Sequence, residues 1–217
     1  MKKAIVFGAS GFIGAHLLHE LLNNNNYEQV TTVVRKSQNI THPKLKTLIG
    51  DFYSLPKLKE AIQADDIFIT LGTTKKQTPN EKEYYRIDHD YPVLAAKMAK
   101  ENGAKSVFVV SSIGANVNAK VFYIKTKGEL EQDIIALGFE HTNIFQPSLL
   151  TGNRKESRPV EKIFINIFTV LNPLFIGSLN KYKSIDGKTV AKAINNAAKN
   201  QTEKVKVYQW KEMNSLL

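Results

Sequence analysis

Three glycines follow the first apolar segment of the chain, with two residues between each glycine and the next. Lys3–Phe7 predicts a strand, Gly8, Gly11 and Gly14 come directly after it, and Phe12–Leu22 carries apolar residues at helical spacing. Glycines let a diphosphate approach the backbone, and a helix N-terminus offers unpaired N–H groups and a positive dipole end. The position after the first strand therefore favours a dinucleotide-binding turn, with a tight structural turn as the alternative.

Strand and helix patterns alternate after this turn. Five apolar runs predict strands: Val30–Val34, Leu45–Ile49, Ile67–Leu71, Val107–Val110 and His141–Phe145. Helices are predicted at Leu55–Ile62, Asn80–Asn102 and Lys120–Leu137. The alternation predicts an α/β, Rossmann-type fold with a doubly wound, mostly parallel sheet, helices on both faces, and ligands at the carboxyl ends of the strands.

The region after Gly152 is less regular. It contains an apolar segment that predicts a helix near Val160–Leu171, and a second helix is predicted from Asp186 to Lys199. We interpret residues 152–217 as a substrate-side extension on the same sheet, because no linker marks a second domain; residues 1–217 then form a single domain. The aromatic stretch Ile163–Phe175 is typical of core, with an apolar substrate pocket or a homodimer contact as alternatives.

Composition excludes several classes of protein. The chain of 217 residues has no cysteine, which excludes disulfides, thiolate catalysis and cysteine-ligated metals. The apolar run after Lys3 is too short for a signal peptide, so we expect a cytoplasmic protein. The longest apolar stretch, Ile163–Ile176, is interrupted by polar residues and falls short of the roughly 20 residues that a membrane span needs.

The formal net charge of +10 raises the question of nucleic-acid binding. Nearly all of the 30 basic residues are lysines, scattered along the chain without an arginine-rich tract or an interleaved basic and aromatic array. We therefore expect no dedicated nucleic-acid binding, and a lysine-rich surface that favours anionic small ligands.

The end of the second predicted strand indicates which dinucleotide is bound. An acidic residue roughly 20 positions after the glycines would bind the ribose hydroxyls of NAD. That position holds Val34, followed by Arg35 and Lys36, whose charges attract the 2′-phosphate of NADP. The sequence thus favours NADP(H) over NAD(H); the alternative is that two exposed basic residues in a basic protein have no such role.

A tyrosine and a lysine four residues apart form a candidate catalytic pair. A tyrosine can protonate a developing alkoxide if a neighbouring lysine lowers its pKa from about 10. Tyr123 and Lys127 share one face of a predicted helix, whereas Tyr53 and Lys57 have the same spacing but are separated by Pro56, which begins a helix. We therefore assign the pair to Tyr123 and Lys127.

Two serines end the strand before this helix. A hydroxyl there can hold a substrate carbonyl by a hydrogen bond and share its proton with the tyrosine. We prefer Ser112 to Ser111 for this role.

These motifs together resemble the short-chain dehydrogenase/reductase superfamily, in its small atypical branch, and within it the family of the human HIV Tat-interactive protein of thirty kilodaltons. The resemblance covers most of the chain. It includes further blocks, which are Leu71-Gly72-Thr73-Thr74, Asp88 with Asp90-Tyr91, and Asn153–Pro159. One departure is Gln146 before Pro147, where many relatives have arginine.

The resemblance implies further cofactor contacts. The turn residues expected at the diphosphate are Gly8, Ser10, Gly11, Phe12, Ile13 and Gly14. Leu71, Gly72 and Thr73 would lie along the ribose and phosphates, Asp51 and Phe52 near the adenine, and Pro147 with Leu149 or Leu150 beside the nicotinamide. Tyr123 would donate the proton, and Lys127 would also bind the nicotinamide ribose.

Two clusters of polar residues are assigned no chemistry. His16, His19 and Glu20 lack the order that zinc proteases need, so we expect a solvated helix face and no metal site. Asp88, His89 and Asp90 are neighbours in a predicted helix and would point in different directions, which makes joint catalysis improbable.

The sequence therefore predicts an NADP(H)-dependent reductase of a small carbonyl or related substrate. The alternative is an NADPH-sensing regulatory or scaffold protein with little or no turnover.

Overall fold

Seven parallel strands form one sheet in the computed structural model, which describes residues 1–152 and 177–217. The strands of this sheet are β1 (Lys2–Phe7), β2 (Tyr27–Val34), β3 (Leu45–Ile49), β4 (Asp66–Ile69), β5 (Ser106–Val110), β6 (His141–Phe145) and β9 (Val205–Tyr208). Their order is β3-β2-β1-β4-β5-β6-β9, and every pairing is parallel. The chain adds β2 and β3 on one side of β1 and the later strands on the other side. Such sheets bind ligands at the point beside β1 where this strand order reverses. The predicted Rossmann-type α/β fold is thus confirmed.

Helices follow the predicted order closely. They are α1 (Phe12–Leu22), α2 (Glu81–Tyr85), α3 (Tyr91–Glu101), α4 (Phe122–Ala136), α5 (Gly187–Ala197) and α6 (Trp210–Ser215). Gly103 and Gly138 have φ of +94° and +68° just after α3 and α4, where a left-handed residue ends a helix without steric cost. Asp186 caps α5 by accepting a hydrogen bond from the Lys188 N–H at 2.7 Å.

Some predicted elements differ from the structure. The single helix predicted over Asn80–Asn102 is divided into α2, a π-helical segment at Arg86–Asp90, and α3. Pro92 explains the division, because it has no N–H to bond the carbonyl four residues earlier and its ring would contact that carbonyl. The segment Leu55–Ala61 is a 3₁₀ helix, and β4 ends at Ile69, two residues before the predicted end.

Alternate residues of the central strands face two separate cores. Phe68 and Phe108 stack at 4.7 Å between ring centroids on the face covered by α1 and α5. Their neighbours Ile67, Ile69 and Val109 point to the other face, which α3 and α4 cover. Burial on both faces explains why these strands read as continuous apolar runs in the sequence.

The C-terminal region contributes to the same sheet. Strand β9 pairs with β6, and β7 (Leu150–Thr151) pairs with β8 (Ile185–Asp186) in a separate two-stranded sheet. The sequence pattern did not predict β9 or α6. The predicted helix at Val160–Leu171, the Asn153–Pro159 block and the stretch Ile163–Phe175 lie outside the described residues. Among the helices that are described, none combines the length and the apolar character needed to cross a membrane.

A buried carboxylate joins the strands at the amino edge of the sheet. Asp66 is fully buried, accepts a hydrogen bond from the Tyr27 hydroxyl at 2.6 Å, and pairs with the Lys2 ammonium at 3.1 Å. Burial, followed by the Asp66 charge, raises the pKa of Tyr27 far above its usual range, so this hydroxyl stays a donor. This edge lies opposite the carboxyl ends of the strands, where the candidate site is found.

Candidate active site

The glycine turn brings β1 and α1 into close backbone contact. Gly8 has φ of +91°, in the left-handed region that favours glycine, and a Cβ there would lie 2.7–2.9 Å from Thr70 atoms. A Cβ at Gly14 would lie 2.0 Å from the Gly8 carbonyl oxygen. Gly11 N–H donates to that same oxygen at 2.9 Å. Two of the three glycines are therefore required by the path of the backbone itself.

The N-terminus of α1 fits an anionic ligand. Gly11 occupies the N-cap position without a side-chain cap, and the first turn contains no acidic residue. The backbone N–H groups of such a turn and the helix dipole favour a negative charge in front of them. Among the other predicted turn residues, Ser10 is exposed, Ile13 is buried, and the Phe12 ring fills the space that Cβ atoms at Gly152 and Gly187 would need.

The residues predicted to bind the adenosine half follow β2 and β3. Arg35 and Lys36 are exposed directly after β2. Asp51 forms a turn with Ser54, whose backbone N–H donates at 2.9 Å and holds the pKa of this carboxyl below its usual value. Phe52 is half-buried and stacks on Tyr91, with 3.3 Å between ring centroids. This edge therefore carries two exposed cations and a pair of stacked aromatic rings.

The predicted catalytic pair lies at the start of α4. Tyr123 is the second residue of the helix and is 37% exposed, whereas Lys127, one turn later, is 4% exposed. The Lys127 ammonium forms an ion pair with the Asp88 carboxylate at 2.9 Å. Thr73 N–H donates to the other oxygen of Asp88 at 2.7 Å. The buried lysine is therefore tied to the segment that follows β4.

The two serines after β5 have different surroundings. The Ser112 hydroxyl donates to the Ile113 carbonyl at 3.2 Å. The buried Ser111 hydroxyl makes no hydrogen bond of good geometry among the described residues and lies against the Glu131 carboxylate on α4. Both serines remain candidates for holding a substrate oxygen.

A polar network connects the ends of β6 and β9 with α4. The Gln146 amide donates to both oxygens of Glu131, at 2.9 and 3.0 Å, and Gln209 donates to Gln146 at 2.9 Å. Burial raises the pKa of the Glu131 carboxyl, although the neighbouring Ser111 hydroxyl, the Gln146 hydrogen bonds and the Lys127 charge offset part of the rise. Gln146 is thus a neutral hydrogen-bond donor to the Glu131 carboxyl.

The remaining predicted residues also lie at the carboxyl edge. Pro147 is buried, and its carbonyl accepts from the Ile113 N–H at 3.0 Å, which links the loops after β5 and β6. Leu149 accepts from the Ile185 N–H at 3.0 Å, and Leu150 pairs with the same residue in β7. Leu71, Gly72 and Thr73 follow β4 after one intervening residue, Thr70. The predicted cofactor residues therefore lie at, or just beyond, the carboxyl ends of strands, whereas Tyr123 and Lys127 lie on α4.

The structure adds residues that the sequence patterns had not assigned to the site. Asp88 was set aside with His89 and Asp90, but its side chain points to Lys127, whereas His89 bonds Asp90 at 2.9 Å and Asp133 at 3.1 Å. Glu131 carried no motif at all; its place one turn after Lys127 on α4 is the only signal in the sequence. The described residues contain no group of three or more metal-ligating side chains that could hold an ion.

The fold and this edge define a Rossmann-type nucleotide-binding protein of the short-chain dehydrogenase/reductase class. A family model described as NAD(P)H-binding matches residues 8–163, which is more than half of the chain. The chain belongs to this NAD(P)H-binding family. The resemblance to the superfamily that the motifs indicated is confirmed.

Curated relatives share most of their length with this chain. "Protein fmp52, mitochondrial" of Aspergillus niger is 31% identical over 204 residues, which cover 91% of this chain and 87% of the relative. "Protein FMP52-1, mitochondrial" of Scheffersomyces stipitis is 32% identical and covers 98% and 97% of the two chains. These names contradict the predicted cytoplasmic location, which is wrong. The absence of cysteine bears on redox chemistry and does not indicate a cellular location.

Solved structures share the fold at low sequence identity. MoeE5, in complex with UDP-glucose and NAD, has a TM-score of 0.70 at 20% identity, with 98% of this chain and 80% of that chain covered. WbmH of Bordetella bronchiseptica, in complex with NAD+, has a TM-score of 0.70 at 17% identity, with 96% and 75% covered. The likeness shows the same arrangement of strands and helices.

The raised pKa of Glu131 predicts a specific pH dependence of stability. Folding makes this carboxyl bind its proton more tightly, so its contribution to stability falls as the pH rises above the usual glutamate range. We expect the free energy of unfolding of Glu131→Gln minus that of wild type to be more positive at about pH 7 than at about pH 4, so that the variant is relatively more stable at the higher pH. Urea denaturation at both pH values measures this.

A matched control removes an exposed carboxyl. Glu140→Gln, at the amino edge, should follow the wild-type pH dependence. A constant difference between Glu131→Gln and wild type at the two pH values would contradict the prediction.

Proposed function

We propose that the protein is an NADP(H)-dependent reductase of a small carbonyl or related substrate. The observation that carries the proposal is the convergence on one edge of the sheet. There the uncapped glycine turn follows β1 and the cations follow β2, and Lys127 on the Tyr123 helix is joined through Asp88 to the segment after β4. Parallel sheets of this type bind their ligands at this edge.

Different residues would bind the two halves of the cofactor. The first-turn N–H groups of α1 would hold the diphosphate, and Arg35 with Lys36 would hold the 2′-phosphate. Phe52 would contact the adenine, while Gly72, Thr73 and Lys127 would line the nicotinamide ribose. Pro147 with Leu149 or Leu150 would contact the nicotinamide. When bound, the cofactor supplies the hydride that reduces the substrate carbon.

The protein's own residues would donate the proton and hold the substrate oxygen. Tyr123 donates its hydroxyl proton to the carbonyl oxygen as that oxygen gains charge, and Ser112 or Ser111 holds the same oxygen by a hydrogen bond. The buried ammonium of Lys127 stabilises the tyrosinate that remains, and solvent then returns a proton to it. Exposure of Tyr123 leaves room for a substrate beside the hydroxyl.

A second candidate function is a protein that senses NADPH and turns over little or no substrate. The ion pair between Lys127 and Asp88 favours it, because this lysine already has a structural partner without catalysis. The homodimer contact, which the sequence offers as one alternative for Ile163–Phe175, stays a prediction.

Replacing the tyrosine hydroxyl separates the two candidates. We expect Tyr123→Phe to bind NADPH with affinity within about twofold of wild type and to lose about a hundredfold or more of its carbonyl-dependent NADPH oxidation. Fluorescence titration measures the affinity, and absorbance decay with a panel of carbonyl compounds measures turnover.

Tyr53→Phe is the matched control, since Tyr53 has the same spacing to a lysine but is far from α4 in sequence and highly exposed. Unchanged turnover in Tyr123→Phe would contradict the assignment of the proton donor. A wild-type protein that binds NADPH and oxidises it with no member of the panel would favour the sensing function.

The cations after β2 predict cofactor preference. We expect wild-type protein to bind NADPH about tenfold or more tightly than NADH, and the double variant Arg35→Ala/Lys36→Ala to lose this preference while its NADH affinity stays nearly unchanged. Lys204→Ala, which removes an exposed cation at the amino edge, is the control. Equal dissociation constants for the two nucleotides in wild type would overturn the preference.

A further inference from the structure

The π-helical segment Arg86–Asp90 places a carboxylate inside the protein at the edge of the candidate site. Asp88 is 1% exposed, although it belongs to a helical region whose neighbours Arg86 and Asp90 are half-exposed. The wider π turn, which accommodates Pro92, directs this side chain towards α4 and the loop after β4.

Both oxygens of Asp88 have partners from different elements. Oδ1 accepts the Thr73 backbone N–H at 2.7 Å, and Oδ2 pairs with the Lys127 ammonium at 2.9 Å. A buried charge without a partner is strongly destabilised, so each member of the ion pair depends on the other. The carboxylate thereby joins the segment after β4 to the helix that carries Tyr123.

Gly72 leaves this ion pair open to an approaching ligand. Gly72 is exposed, and a Cβ there would lie 3.7 and 3.9 Å from the two Asp88 oxygens and 3.9 Å from the Lys127 Nζ. The missing side chain therefore leaves space directly beside the buried ion pair. A hydroxyl-bearing ligand that passes over Gly72 comes within reach of Lys127 and of the backbone at Thr73.

We infer that Asp88 is a positioning residue, which fixes the Lys127 ammonium and the Thr73 backbone together as one preformed site for the nicotinamide ribose. The inference rests on the proposed function, in which Gly72, Thr73 and Lys127 line that ribose. Asp88 itself does not touch the cofactor. It lowers the entropic cost of binding, because the two groups that receive the ribose are already held in place.

The position of Asp88 predicts which part of the cofactor is affected when it is changed. Asp88→Asn keeps the size of the side chain and can still accept from Thr73 N–H, but it leaves Lys127 without a counter-charge. The adenosine half binds at Arg35, Lys36 and α1, which the substitution does not touch. We therefore expect the loss to be confined to ligands that contain the nicotinamide ribose.

Fluorescence or calorimetric titration with two ligands tests this. NADPH spans both halves of the site, whereas adenosine 2′,5′-bisphosphate lacks the nicotinamide ribose. Asp88→Asn should bind NADPH about tenfold or more weakly and adenosine 2′,5′-bisphosphate within about twofold of wild type. Asp90→Asn, on the same segment but paired with His89, is the control and should change neither.

A double-variant cycle tests that Asp88 acts through Lys127. Lys127→Met alone should also weaken NADPH binding, and the combined variant Asp88→Asn/Lys127→Met should be no weaker than the weaker single variant. Asp88→Glu, which keeps the charge but displaces the ammonium, gives a second reading if Asp88→Asn does not fold; it should also weaken NADPH and spare the bisphosphate.

Three results would overturn the inference: equal losses for both ligands, which indicate general damage to the fold; an unchanged NADPH affinity in the Asp88 variants; or additive losses in the cycle. Wild-type protein that binds neither ligand would instead contradict the proposed function itself, and the inference with it.

Discussion

The left-handed turn at Gly8 and the contact of Gly14 with the Gly8 carbonyl determine where everything else in the site lies. A side chain at either position would overlap with Thr70 or with the turn itself, so only this backbone lets α1 begin directly above the end of β1. The helix N-terminus consequently points over the edge at which β4, β5 and β6 also end. In the proposed function, the same geometric constraint would place anion binding and proton transfer side by side.

Charge burial is the second organising feature of this edge. Asp88 and Lys127 are paired inside the protein, and Glu131 is held among neutral amides close to the same lysine. Such groups are expensive to bury unless they are paired, and ionisable residues with altered surroundings are concentrated at functional sites. The lysine is thus set between one carboxylate that neutralises it and another whose pKa is raised. This arrangement fixes the ammonium at one location while Tyr123 remains accessible.

The fold was predictable because its signals are local. Apolar runs mark the buried strands, and the glycine turn follows β1 at the residue where the backbone needs it. The π segment could be predicted only by interpreting Pro92 as a disruption within a helix. The prediction of one long helix did not make this interpretation. Asp88 and Glu131 became site residues only through packing, since their partners come from distant parts of the chain. Strand β9 was missed because it has only four residues and Lys206 interrupts its apolar run. The cellular location was predicted wrongly, because composition describes chemistry and does not encode a destination.

The central claim is that the amides of the turn at residues 8–14 bind a cofactor diphosphate. A crystal structure of the protein with NADPH tests it most directly. The account predicts diphosphate oxygens at hydrogen-bonding distance, about 3 Å, from first-turn N–H groups of α1, with Arg35 beside the 2′-phosphate. A nucleotide bound at another edge of the sheet, or crystals grown in saturating NADPH that contain none, would contradict it.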